Sequence, residues 1–267
     1  MMVWHCVFRA GVPERGCGEF AGADAATAVC ERRPPPPLRP FAPRIGGVVR
    51  ALVFDFDGLI IDTEVPVYRA WAEVYERHGE RLSAEFWATI IGYGDTHFDP
   101  MGDLERRVGR VLDREALQAA RRLRQLEMTT ALEILPGVRE WRRDAVAMGI
   151  RLGVASSSNR QWVTGHLERL GLDGWDCVRC GGDVERTKPA PDLYLAVCEC
   201  LGVAPADAVA VEDSSVGVEA AKAAGLYCVA VPSSMTASHD FGRADLVLRS
   251  LADVRLAEAV LSFAGGN

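Results

Sequence analysis

From residue 134 onward, short apolar runs alternate with segments of helical spacing. The runs are rich in Val, Leu, Ile and Ala and stop at polar residues, which is typical of buried strands in a parallel sheet. The helical segments repeat apolar residues at i, i+3 and i+4. An earlier run, Val49 to Asp55, provides the first strand. Further strands are predicted at 150–155, 177–179, 208–211, 227–231 and 246–248. This alternation predicts an α/β fold, a Rossmann-like doubly wound parallel sheet with right-handed connections.

Residues 65–133 follow a different pattern. Tyr68, Trp71, Ala72 and Tyr75 have helical spacing, the segment continues as helix with breaks at glycine and proline, and nothing in it predicts a strand. We therefore expect an all-helical domain at 65–133, inserted into an α/β core domain formed by 48–64 and 134–267.

The first 47 residues lack periodicity and contain the run Pro34 to Pro37. Three interpretations stay open for this segment: a disordered leader, a start codon assigned too early, or a transit peptide, although acidic residues interrupt the last pattern.

Composition limits the classes of function. The chain has 267 residues, 49% of them hydrophobic, and a net charge of −7 without a basic block after residue 50, so nucleic acid is not an expected partner. No apolar run approaches the roughly 18 residues of a membrane helix, so no membrane partner is expected. The predicted location is the cytoplasm, and a monomer is the default state.

The chain has eight scattered cysteines, for which reduced thiols are the expectation. Cys200 is predicted on the apolar face of a helix as a core thiol. His166 also falls on an apolar helix face, which favours a packed core histidine over a metal ligand.

Polar clusters occur at the predicted strand ends and helix starts. They consist of Asp55 with Asp57, Ser156, Lys188, and Glu212 with Asp213. Strand ends of an open α/β sheet surround one crevice. Carboxylates can hold Mg²⁺ there, while a lysine and a hydroxyl can bind phosphate oxygens. Lys188 is one of two lysines among 30 basic residues, which indicates a position that requires an ammonium group.

Four motifs in this order resemble the haloacid dehalogenase superfamily. They are Asp55-Phe56-Asp57-Gly58, Val154-Ala155-Ser156, Lys188-Pro189 and Glu212-Asp213-Ser214. Their extended forms, including the run Asp57 to Glu64 and Lys188 to Asp192, are similar to the branch of β-phosphoglucomutase-like and phosphoglycolate-phosphatase-like proteins.

The resemblance implies a Mg²⁺-dependent enzyme and assigns roles to residues present here. Asp55 would be the nucleophile that forms an aspartyl phosphate, and Asp57 would be the general acid and base. Ser156 and Lys188 would bind the phosphate. Asp55, Asp213, the main-chain carbonyl of Asp57 and, directly or through water, Glu212 would bind the metal.

The inserted helices would form a mobile cap that contacts the substrate through Gly92, Tyr93 and Asp95. Sugar-phosphate mutases of this branch usually have an arginine near Asp95 to hold a second phosphate. The acid here favours a phosphatase acting on a small phosphorylated metabolite, a sugar or polyol phosphate. A phosphohexomutase stays open, with Arg106 or Arg107 as a substitute for the arginine, and so does a catalytically silent binding module.

Overall fold

A six-stranded parallel sheet lies at the centre of the protein. The computed structural model describes residues 48–93 and 97–264, so the predicted leader and Asp95 fall outside the described residues. The strands are β1 (Ala51–Phe54), β2 (Arg151–Ala155), β3 (Cys177–Arg179), β4 (Ala208–Glu212), β5 (Tyr227–Ala230) and β6 (Leu246–Val247). Their order is β3-β2-β1-β4-β5-β6, and each neighbouring pair is parallel. The predicted Rossmann-like fold is confirmed. Its topological switch point, where ligands bind in such sheets, lies between β1 and β4.

Both faces of the sheet are covered, which explains why its strands are apolar throughout. In β1, Leu52 and Phe54 face one apolar core, and Ala51 and Val53 face the other. The first core packs α5 (Val138–Ala147), α6 (Arg160–Arg169) and α9 (Leu256–Ala264); the second packs α7 (Asp192–Leu201) and α8 (Ser215–Ala224). Residues 251–253 form a separate 3₁₀ turn just before α9.

The segment between β1 and α5 is helical. It comprises α1 (Glu64–Arg77), α2 (Ala84–Ala88), α3 (Pro100–Val108) and α4 (Arg114–Thr130). These helices form an apolar cluster of their own that includes Trp71, Tyr75 and Leu104. The two ends of the segment are joined, since the main-chain nitrogen of Leu135 donates to the oxygen of Ile60 at 2.9 Å. The inserted all-helical cap is thus confirmed as part of the fold.

The expectation for the cysteines is wrong at two positions. Cys200 is exposed and forms a disulfide with Cys177, while Cys198 is the buried thiol of α7. The sheet-facing side of α7 is rotated by about one position from the predicted face, because Tyr194 is buried there and donates its hydroxyl hydrogen to Glu212.

Candidate active site

Asp55 and Asp57 occupy the turn that follows β1. The main-chain nitrogen of Asp55 donates to Val211 of β4 at 2.9 Å, which extends the pairing of these strands by one residue. Gly58 then adopts a left-handed conformation with φ +82°, and its nitrogen donates to Ile61 at 2.8 Å. This tight turn places both acids at the switch point of the sheet.

Three carboxylates converge at the carboxyl ends of β1 and β4. Asp55, Glu212 and Asp213 are buried, and each offers an oxygen within 4.8 Å of the others. The loop after β5 fixes Asp213, whose main-chain oxygen accepts a hydrogen bond from the buried Thr236 hydroxyl of that loop at 2.6 Å.

One ammonium group faces these three carboxylates. The Lys188 side chain is 3% exposed; its Nζ lies 2.6 Å from Glu212 Oε1 and also pairs with Asp55 Oδ1. Burial alone lowers the pKa of Lys188, but Asp55 and Glu212 outweigh that effect and raise it. Lys188 is therefore the charged partner of the cluster.

The cluster contains three carboxyl groups and one ammonium group. Burial disfavours the ionised form of these carboxyl groups. Burial is the largest effect on Asp55 and raises the pKa of this carboxyl to about 8, although Lys188 lowers it. Burial likewise raises the pKa of Asp213, with the neighbouring Asp55 and Glu212 adding to the shift. With all three acids ionised, one ammonium leaves two negative charges in excess.

These residues fit a hard divalent cation. Asp213 Oδ2 and Glu212 Oε2 are buried without a hydrogen-bond partner among residues 48–93 and 97–264, and clustered carboxylate oxygens are the donors that Mg²⁺ prefers. Gly58 makes room for this arrangement, since a Cβ atom there would lie 2.2 Å from Asp213 Oδ2. The Asp57 side chain does not belong to this carboxylate cluster. The group of Asp57 that was predicted to bind the metal is its main-chain oxygen.

The Asp57 carboxylate instead faces four hydrogen-bond donors. Thr63 Oγ1 and Trp162 Nε1 donate to Oδ1 at 2.7 and 2.8 Å. Ser158 and Ser156 donate to Oδ2 at 2.7 and 3.2 Å. Of these four residues, only Ser156 was predicted as a site residue. The run Ser156-Ser157-Ser158 was a usable signal for Ser158, whereas nothing in the sequence indicates the orientation of the Trp162 indole.

A cavity of about 1610 Å³ opens over Asp55, Asp57, Lys188 and Asp213. Ser156 and Glu212 are not among its lining residues; they are buried behind it, and Ser157 and Ser158 line the wall instead. His166, a packed histidine as predicted, is buried against Trp162 and also reaches this wall.

The inserted helices form the other wall of the cavity. The predicted contacts Gly92 and Tyr93 line it, and the Tyr93 ring stacks on His97 at 4.0 Å. Arg106 and Arg107 do not line the cavity and pair with Asp103 instead. The arginines that do line it are Arg114, Arg121 and Arg122 of α4 and Arg169 of α6.

The parallel sheet, its helical cap and the buried carboxylate cluster define a hydrolase with a Rossmann-like core, and a family model for haloacid dehalogenase-like hydrolases matches residues 49–225. The chain belongs to this family, so the predicted family and hydrolase class are confirmed. In the part of the chain that the structure describes, no helix is long and apolar enough to cross a membrane.

Known relatives cover the same region. YhcW of Bacillus subtilis is 41% identical over 211 residues, which is 79% of this chain and 96% of YhcW. The phosphorylated carbohydrates phosphatase of Thermotoga maritima is 32% identical over 189 residues, 67% of this chain and 82% of that protein. The crystal structure of CbbY from Rhodobacter sphaeroides in complex with phosphate has a TM-score of 0.62 and 28% identity, and covers 77% of this chain and 96% of that one.

Proposed function

We propose that this protein is a Mg²⁺-dependent phosphatase that hydrolyses a small phosphorylated metabolite, a sugar or polyol phosphate. The observation that carries the proposal is the pairing of Asp55 with Lys188 inside a buried carboxylate cluster, directly below a cavity shared by the sheet and the cap. The similarity to a phosphatase of phosphorylated carbohydrates supports the substrate class.

In the first step, an Asp55 oxygen attacks phosphorus while the bond from phosphorus to the leaving oxygen breaks. Asp57 gives its proton to that oxygen, and an aspartyl phosphate remains on Asp55. In the second step, Asp57 takes a proton from a water molecule that attacks phosphorus, which breaks the bond to Asp55 and releases inorganic phosphate.

The remaining site residues bind the phosphoryl group and the metal ion. Lys188 binds a phosphoryl oxygen, and Asp55, Asp213, Glu212 and the main-chain oxygen of Asp57 hold Mg²⁺, which supplies positive charge beside the phosphoryl group. Ser156 lies behind Asp57, and the neighbouring Ser157 hydroxyl, which has no hydrogen-bond partner among the described residues, is a further donor to phosphate at the cavity wall.

The cap selects the substrate in this proposal. We assign 65–133 to the cap domain, and 48–64 with 134–267 to the core domain, in a monomeric cytoplasmic protein. Gly92 and Tyr93 contact the substrate from the cap.

A phosphohexomutase is the second candidate, and one observation favours it. The arginines of α4 line the cavity and can hold a second phosphate, a task for which Arg106 and Arg107 are poorly placed. The products distinguish the two enzymes, because a mutase converts a hexose 1-phosphate when a bisphosphate is added and releases little phosphate.

The test is phosphate release from a panel of sugar, polyol, glycolate and nucleoside monophosphates, with Mg²⁺ and with a chelator. We expect Mg²⁺-dependent release that Asp55→Asn abolishes. Asp62→Asn is the matched control, because Asp62 lies in the same loop but outside the cavity, and asparagine can replace it as acceptor for the nitrogen of Val65. Absence of release from the whole panel would refute the phosphatase, and release by Asp55→Asn would refute the nucleophile.

A further inference from the structure

Trp162 contacts the proposed acid and base directly. It lies in the first turn of α6, where the Asn159 side chain caps the helix by accepting from the Trp162 nitrogen at 2.9 Å. The indole Nε1 donates to Asp57 Oδ1 at 2.8 Å, across 105 residues of chain. This contact is not part of any motif used to recognise the family.

The neighbours of Trp162 hold the indole in place. The ring of His166, one turn further along α6, meets the indole edge to face at 4.3 Å. Arg169 in turn contacts His166 Nδ1 at 3.3 Å and donates to the main-chain oxygens of Thr130 and Leu132 at 3.1 Å, where α4 ends. Burial, followed by the charge of Arg169, lowers the pKa of His166 and so favours its neutral form. In that form Nδ1 can accept the hydrogen bond from Arg169.

The two oxygens of Asp57 have different kinds of donors. An indole N–H can only donate, whereas a serine hydroxyl can donate or accept. Oδ1 faces Trp162 as well as Thr63, and Oδ2 faces Ser156 and Ser158. A proton on Oδ1 would point at the indole N–H, whereas a proton on Oδ2 can be accommodated when a serine hydroxyl turns to accept it.

We propose that Trp162 is a positioning residue that fixes the Asp57 rotamer and keeps Oδ1 as the acceptor, so that the catalytic proton is carried on Oδ2. The inference rests on the proposed function and adds to it the atom that protonates the leaving oxygen and later receives the proton of water. A tryptophan that only packed against the cavity would not distinguish the two oxygens.

The experiment compares two classes of phosphate ester in Trp162→Phe. Phenylalanine keeps an aromatic ring and removes the N–H. The value of kcat/KM reports the steps through phosphoryl transfer.

An alkyl phosphate such as glycerol phosphate needs a proton on its leaving oxygen, whereas the p-nitrophenolate of p-nitrophenyl phosphate leaves without one. We expect kcat/KM to fall about tenfold for the alkyl ester and about twofold or less for the aryl ester, with KM for each little changed.

Trp175→Phe is the matched control. Trp175 is half-buried, and its Nε1 is buried without a hydrogen-bond partner in the described part of the chain, so the same substitution removes no hydrogen bond seen there. We expect wild-type kcat/KM for both esters. Equal losses for the two esters in Trp162→Phe, or no loss, would refute the positioning role.

A second readout does not depend on turnover. The indole ¹⁵N–¹H resonance that disappears in Trp162→Phe should shift when Asp57→Ala removes its acceptor, while the Trp175 resonance stays in place. An indole resonance that does not respond to Asp57→Ala would overturn the inference alone. A wild-type protein that releases no phosphate but shows the shift would overturn the proposed function and leave the contact established.

Discussion

The Nε2 atom of His239 lies 2.7 Å from the main-chain oxygen of Ala88, across the boundary between the sheet and the helical cap. The other ring nitrogen, Nδ1, accepts from the main-chain nitrogen of Ser215 at 3.2 Å, so Nε2 carries the proton and donates to Ala88. His239 therefore connects the start of α8, beside the carboxylate cluster, to the end of α2.

This connection predicts the effect of His239→Phe. The variant keeps an aromatic ring but loses the hydrogen bond to the cap, which is worth about 1 kcal/mol, so we expect KM to rise about fivefold with a smaller change in kcat. Amide hydrogen exchange in residues 84–93 should become faster. The control is His78→Phe, because His78 contacts Val74 within the cap. Unchanged KM and exchange in His239→Phe would contradict the bridging role.

Gly58 predicts a defect in metal binding. Alanine at this position would strain a backbone with φ +82° and place Cβ 2.2 Å from Asp213 Oδ2, which displaces a proposed metal ligand. We expect the apparent affinity for Mg²⁺ in phosphate release to fall by about tenfold or more, since supporting changes at metal sites have effects of this size. Gly79→Ala carries the same backbone strain, with φ +78°, but its Cβ meets no atom of the described residues within 4 Å. If the two variants lost Mg²⁺ affinity equally, strain rather than displacement would be the cause.

The two lysines of the chain predict very different losses of stability. Lys188→Met leaves buried carboxylates without their ammonium partner, and we expect the free energy of unfolding to fall by about 3 kcal/mol in chelator at pH 8. The loss should be smaller at pH 6, where protonation relieves the repulsion. Lys222→Met breaks an ion pair with Asp245 whose side chains are 19% and 28% exposed, and should cost about 1 kcal/mol or less. Urea unfolding measures the free energy of unfolding of both variants. Similar losses in Lys188→Met and Lys222→Met would mean that the carboxylate cluster carries little excess negative charge.

The pKa of Asp55 predicts how pH affects the metal-free protein. Its value in the folded state, about 8, is above the ordinary 3.8, so between these values the folded state binds more protons than the unfolded state. Stability in chelator should therefore decrease as pH rises toward 8, and Mg²⁺ should remove much of this dependence. Asp55→Asn should reduce the slope, with Asp213 responsible for the remainder. A slope of opposite sign, or one that Asp55→Asn leaves unchanged, would contradict this account.

The convergence of Asp55, Lys188 and Asp213 was predictable because it follows from topology. Asp55 and Asp213 come directly after strands β1 and β4, Lys188 lies in the turn that precedes α7, and parallel strands bring these positions to one edge. The rotation of a helix about its axis was less predictable, as Cys198 and Cys200 demonstrate. The buried face of α7 is shifted by about one position from the predicted face, so that Cys198 rather than Cys200 is buried. Tyr194 lies on this buried face and donates to Glu212, which is 18 residues away in sequence.

Contacts between distant elements could not be derived from the sequence. The bond from Trp162 to Asp57 spans 105 residues and that from His239 to Ala88 spans 151, and each depends on where a side chain points after the elements have packed. The same reason explains Arg106 and Arg107. They are close in sequence to the cap loop, but both pair with Asp103, and the arginines of α4 reach the cavity instead.

The bond between Leu135 and Ile60 has a consequence for how such a protein can change over generations. This hydrogen bond joins the two ends of the inserted segment close to the sheet. The four helices α1 to α4 therefore form an excursion that begins and ends at the same place. We therefore expect substitutions or insertions within that excursion to leave the positions of Asp55 and Lys188, which lie outside it, largely unchanged. If the cap selects the substrate as proposed, the reaction and much of the choice of substrate are encoded in separate stretches of one gene, and selection can revise the second while the first is inherited.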